Sequence, residues 1–138
     1  MSEETLAAIK RGYEALNRGD ASAMSELAGE LATRDLEWGA IGSFPGGEGL
    51  YQGPDAIQAW LHAIRSEWEE FEVRLDEVLH DGEEVVVVAE LLRGRARESG
   101  AEVEMRIFST YWFEKGKLRR RAPFTERTAA LEAAGLSE

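Results

Sequence analysis

The chemistry this chain can offer gathers in four residues, Glu90, Ser109, Tyr111 and Arg120, carried on stretches where apolar and polar residues alternate. Glu90 interrupts the run Val85-Val-Val-Val-Ala-Glu-Leu-Leu92, which is otherwise wholly apolar. A carboxylate seated among such side chains has its charged form disfavoured by desolvation, which is how a general acid or base is tuned towards neutral pH. Hydroxyls at Ser109 and Tyr111 would then stand beside it as hydrogen-bond partners. Two plainer readings stay open: Glu90 pairs with Arg120 and only specifies packing, or a bulge turns it to solvent.

Other chemistries lack their groups. The 138 residues include no cysteine, so thiolate nucleophiles, disulfides and cysteine-ligated metals are excluded. The two histidines, His62 and His80, fall on the polar face of a helical segment and at a hairpin end, with no spacing that brings both to one ion. No metal and no cofactor is therefore expected. Residues 1–90 carry a net charge of −14 and residues 91–138 a net +3, for −11 in all. Nucleic acid needs a coherent positive surface, so it is not an expected partner, and Arg93/Arg95/Arg97 and Arg119/Arg120/Arg121 are read as sheet-surface arginines paired with local carboxylates. The acidic start Met1-Ser2-Glu3-Glu4 lacks the features of a signal peptide, and no apolar stretch reaches the roughly 20 residues that span a bilayer. A cytoplasmic protein with no membrane partner is expected, forming a single domain over 1–138.

The elements that must position these groups follow from periodicity. Leu6, Ile9, Tyr13 and Leu16 predict a helix over about 5–18, ended by Gly19. Asp20 caps a second, short helix through Met24, Leu27 and Leu31, and Leu36 and Trp38 mark a brief strand. The glycine-rich stretch from Gly39 to Gly53 reads as an irregular loop, a lid across the cavity mouth carrying Phe44 and Tyr51. Pro54, at a first helical position, opens a third helix with Ile57, Trp60, Leu61, Ile64 and Trp68 on one face. From Phe71 the period becomes two, and turns at Asp81-Gly82, Ser99-Gly100 and Lys115-Gly116 predict strands over 71–80, 83–97, 102–114 and 117–122 in an antiparallel meander. A last helix over 125–134 ends at Gly135. Helices first and sheet second imply α+β.

Two-residue turns fix the register: Arg97 opposite Glu102, Arg95 opposite Glu104, Leu92 opposite Ile107, Glu90 opposite Ser109 and Val88 opposite Tyr111. One sheet face then holds Glu90, Ile107, Ser109, Tyr111, Phe113, Leu118 and Arg120 towards the helices. The other, with Val85, Val87, Ala89, Leu91, Phe108, Thr110 and Trp112, is too apolar to face water, which predicts a homodimer through it.

That layout, with Tyr13-Glu-Ala-Leu-Asn-Arg-Gly-Asp20, Asp35-Leu-Glu-Trp38, Gly53-Pro-Asp-Ala-Ile57, Asp81-Gly82 and Gly116-Lys-Leu118, resembles the SnoaL-like branch of the nuclear transport factor 2 superfamily over nearly the whole chain. The resemblance implies a cone: a curved antiparallel sheet wrapped around helices, a pocket in the hollow, and frequent dimerisation through the sheet. It implies activities such as polyketide aldol cyclisation, ketosteroid isomerisation, dehydration or epoxide hydrolysis. The family's usual machinery does not carry over. The isomerase's base falls on Trp38 and its first-helix tyrosine near Gly12, while the aspartate of its oxyanion hole and of the cyclases falls on Ser109. The expectation is a small, largely apolar ligand bound by Tyr13, Trp38, Phe44, Tyr51, Trp60, Ile107 and Arg120. Glu90, with Ser109 and Tyr111, is the candidate acid/base of an isomerase or cyclase type reaction; a non-catalytic binding module or a dimeric interaction domain is the alternative.

Overall fold

The computed structural model describes residues 2–40 and 49–136. Helix α1 (Ser2–Arg18) stops where Gly19, at φ 70°, lets the Gly19 and Asp20 amides turn back onto the Leu16 and Ala15 carbonyls. Asp20 then caps α2 (Ala21–Leu31), its carboxylate accepting from the Ala23 amide at 3.0 Å. Next come β1 (Ala32–Ala40), β2 (Gly49–Gln52), α3 (Ala56–Glu67), β3 (Trp68–Asp81), β4 (Val85–Ala96), β5 (Glu102–Glu114), β6 (Lys117–Phe124) and α4 (Arg127–Ala133). The strands form one curved, unclosed sheet in the order β2-β1-β6-β5-β4-β3, with the helices packed on it in an α+β arrangement. The predicted meander is β3 to β6, and β1 joins it as a parallel neighbour of β6.

Two local expectations are corrected, and one falls outside the described residues. The C-terminal end of the expected loop is strand β2, a hairpin partner of β1 in which Tyr51 lies opposite Trp38. Phe44, at the centre of that loop, lies outside the described residues. Pro54 stands before the α3 N-cap, Asp55, and not at the first helical position.

Of the three turns, Lys115-Gly116 behaves as its sequence predicts: both residues have positive φ, 52° and 81°, and Glu114 pairs with Lys117. The other two do not. Asp81 pairs with Val86, so the chain reverses at Glu83-Glu84; Gly82 is needed for close approach, since a Cβ there would meet the Val85 carbonyl at 3.0 Å. Beyond β4 the reversal takes residues 97–100, with Ala96 bonded to Ala101, and Arg97 leaves the ladder to donate to the Arg65 carbonyl at 2.7 Å. The β4–β5 register is thereby displaced by two: Arg95 faces Glu102, Arg93 faces Glu104, Glu90 faces Ile107, Val88 faces Ser109 and Val86 faces Tyr111. A displacement of two leaves every side chain on its predicted face, because side-chain direction repeats every second residue.

The inner face and α1–α3 enclose the main core, centred on Leu36, Trp60, Ile64, Val86, Val88 and Ile107. On the outer face α4 covers Val87, Ala89 and Phe108 with Ala130 and Leu131. Part of the cover expected from a second copy thus comes from the chain's own C-terminal helix, while Leu91 and Trp112 stay half-buried. Helix α4 is closed by Gly135 at φ 80°, with Leu136 donating to the Leu131 carbonyl at 2.8 Å. Among the described residues no helix is long and apolar enough to cross a membrane.

Candidate functional site

Glu90 sits mid-strand on β4, with no exposed surface. Helix α1 reaches it because Asn17 is clamped to β3: its amide donates to the Val73 carbonyl at 2.7 Å and its side-chain oxygen accepts from the Val73 amide at 2.9 Å. One turn earlier on the same helix face, Tyr13 donates its hydroxyl to Glu90 Oε2. Tyr111, on β5, donates to the same oxygen at 2.9 Å, and Ser109 donates to Oε1 at 2.5 Å. Arg121 Nη2 completes the set, 3.4 Å from Oε1 and 3.3 Å from Ser109 Oγ, while its Nη1 donates to the Gly39 carbonyl at 2.8 Å.

Two donors therefore fall on each carboxylate oxygen, and an ionised carboxylate has about four lone-pair sites in all. Glu90 is saturated by the protein itself. Burial, reinforced by the adjacent Glu90 carboxylate, pushes the Tyr13 and Tyr111 hydroxyls well above the ordinary tyrosine value of 10.0, which keeps both protonated as donors. The Arg121 guanidinium lies 4.9 Å from the Trp38 ring centroid and 5.7 Å from that of Trp60, so it rests against both rings as well as its anion. Two buried N–H groups, Trp38 Nε1 and Arg121 Nε, have no hydrogen-bond acceptor among the described residues.

A cavity of about 90 Å³ adjoins this cluster. Its walls are apolar, from Ile9, Leu16, Met24, Leu27, Ile57, Val73 and Phe113, and its polar groups are those of Tyr13, Trp38, Glu90, Tyr111 and Arg121. Engineered apolar cavities of about 150 Å³ hold benzene, so a ligand of six heavy atoms fills this smaller hollow with a shift of its walls.

The expected site residues separate accordingly. Glu90, Tyr13, Trp38, Trp60 and Tyr111 all line the cavity. Ser109 and Ile107 are buried on the same sheet face, Ser109 bonded to Glu90 and Ile107 opposite it in the ladder. Tyr51 packs half-buried against the main core. Arg120 is corrected: it points outward, over the Trp112 ring at 4.6 Å and 3.8 Å from Glu37. An irregularity at Trp112/Phe113 leaves Arg119 as an extra residue on β6, and the flip puts Arg121 inside, 5% exposed, where strict alternation from Leu118 puts Arg120. The reading of all three arginines as surface residues is thus wrong for Arg121. The available signal was a lone carboxylate in an apolar strand, which needs a buried cation. His62 is exposed on α3, and His80 half-buried near the end of β3.

The SnoaL-like domain family matches residues 9–121. The chain belongs to that family. No curated protein matches it. Solved structures share its fold. An NTF2-like protein of unknown function from Burkholderia pseudomallei superposes with a TM-score of 0.73 at 20% identity, covering 97% of each chain. A putative SnoaL-like polyketide cyclase from Jannaschia sp. gives 0.71 at 16% identity, covering 95% of this chain and 91% of the other. A protein of ketosteroid isomerase-like fold from Catenulispora acidiphila, in complex with trimethylamine, gives 0.69 at 13% identity, covering 94% and 92%. In this SnoaL-like chain, Glu90, Tyr13, Tyr111 and Arg121 occupy the hollow between helices and sheet.

Proposed function

We propose that this SnoaL-like domain binds a small, largely apolar molecule carrying a hydrogen-bonding oxygen in the cavity beside Glu90. The observation that carries the reading is a hollow with apolar walls whose charged groups, Glu90 and Arg121, are already paired with each other. A charged ligand gains no uncompensated partner there, whereas burial of apolar surface stabilises a neutral one by about 25 cal/mol per Å². An acceptor oxygen fits the unpaired N–H groups of Trp38 and Arg121. The test compares cyclopentanone with its shape-matched hydrocarbon, methylenecyclopentane, by ligand-observed NMR titration. Both should bind, the ketone about fivefold tighter for one added hydrogen bond. Binding of neither overturns the reading.

A second reading, proton transfer of the isomerase or cyclase type, is favoured by one contact: the hydroxyl that Tyr13 donates to Glu90. A cavity-lining tyrosine oxygen can accept a proton from a ligand while passing its own to Glu90, so the carboxylate need not touch the ligand. The likeness to a putative polyketide cyclase agrees with such chemistry. Hydrogen–deuterium exchange at the carbons beside the cyclopentanone carbonyl, followed in D₂O, reads that step directly. Glu90→Gln should abolish catalysed exchange while the ketone still binds. No catalysed exchange by the unsubstituted protein leaves only the binding function.

A further inference from the structure

The residues around the cavity sort by exposure. Most of those from the sheet and α3, such as Trp38, Trp60, Val73 and Tyr111, are buried, whereas Ala8 and Gly12 on α1, Leu27, Ala28 and Leu31 on α2, and the paired Ala32 and Leu118 at the adjoining sheet end are half-buried. Partial exposure of a lining residue marks where the hollow continues towards solvent. Among the described residues the mouth therefore lies along α1, α2 and the adjoining Ala32–Leu118 end of the sheet, and Tyr51, from the stretch expected to form a lid, is not part of the lining.

Gly12 stands in the interior of the 17-residue helix α1, where glycine is a poor helix former. Its backbone does not require glycine, since its φ is not positive, and no close packing excludes a side chain, since a Cβ there would meet nothing within 4 Å. What a missing side chain does provide at this position is room beside the cavity. Gly29 on α2 is a built-in comparison: it too has nothing within 4 Å of a Cβ, but it is exposed and lines no part of the hollow.

Resting on the binding reading above, we propose that ligands pass between α1 and α2 and that the bare backbone at Gly12 sets the largest molecule the domain admits. The experiment uses xenon and cyclopentanone as probes of the full chain and of Gly12→Ala, Gly12→Val and Gly29→Ala. Both alanine variants should raise the unfolding midpoint by about 3 °C through helix propensity. Gly12→Ala should at the same time slow cyclopentanone association several-fold and still admit xenon. Gly12→Val should weaken cyclopentanone binding by about tenfold or more, because a stiff β-branched side chain overfills the space. Gly29→Ala should bind both probes as the unsubstituted chain does. Gly12 variants that bind cyclopentanone at the original rate and affinity overturn this inference and leave the binding reading standing. An unsubstituted chain that binds neither probe overturns both.

Discussion

Ser109 and Thr110 are adjacent on β5, both completely buried, and they face opposite sides of the sheet. Thr110 donates its hydroxyl to the Ala130 carbonyl at 2.8 Å and so docks α4 against Val87, Ala89 and Phe108. Ser109 donates to Glu90, in a cluster of two tyrosines and an arginine with a cavity alongside. The two hydroxyls are alike in burial and in being satisfied, so neither property separates a fastening from a candidate site. The separation comes from what lies beside the bond: a packed helix in one case, and in the other an ion pair next to empty volume.

The largest expected effect tests the ion pair. Glu90→Leu removes the acceptor of Tyr13, Ser109, Tyr111 and Arg121 together and leaves the Arg121 guanidinium buried beside no anion. Breaking a buried pair in this way costs about 3–5 kcal/mol. Replacing both partners, as Glu90→Leu with Arg121→Met, should recover more than half of that loss, measured by urea unfolding. If the double variant is no more stable than the single one, the carboxylate's hydroxyl partners and not Arg121 carry the cost.

This cluster also marks how far the sequence can be read. The α+β arrangement, the helix ends at Gly19 and Gly135 and the inward direction of Glu90, Ser109 and Tyr111 were legible, because they depend on local φ preferences and on a period of two. The register was legible only to within two residues, since Asp-Gly and Ser-Gly pairs name a turn without fixing its length. Arg121 was not legible from period alone. Its direction depends on the irregularity opposite Trp112/Phe113, a tertiary accommodation of the sheet's curvature that strict alternation from Lys115-Gly116 cannot contain. The parallel partnership of β1 with β6 was likewise out of reach, being a contact between distant segments with no turn to announce it.

An intermediate effect distinguishes the two faces by pH. Tyr13 and Tyr111 have raised values in the folded chain against 10.0 when unfolded, so above about pH 10 the unfolded state binds fewer protons than the folded one. Stability is fully present below that pH and falls as pH rises through the folded values, by about 1.4 kcal/mol per pH unit for each tyrosine. Thr110 on the outer face does not titrate and adds nothing to the slope. Tyr111→Phe should therefore halve the tyrosine contribution to the fall between pH 10 and 11.5, read from urea midpoints. An unchanged slope means that the hydroxyl is not held protonated by burial beside Glu90.

The smallest effect is the sharpest test of the comparison. Thr110→Val keeps the shape, removes one hydroxyl and leaves the Ala130 carbonyl without its side-chain donor, which costs about 1 kcal/mol. Helix α4 should loosen, so amide exchange should quicken over Arg127–Ala133 while the α1 amides near Tyr13 keep their protection. Cyclopentanone affinity should not move, because none of the residues packed in the outer-face cluster lines the cavity. A matching loss of affinity in Thr110→Val would mean that the strand transmits the outer contact to Ser109 one residue away, and that the two faces of β5 act as one unit.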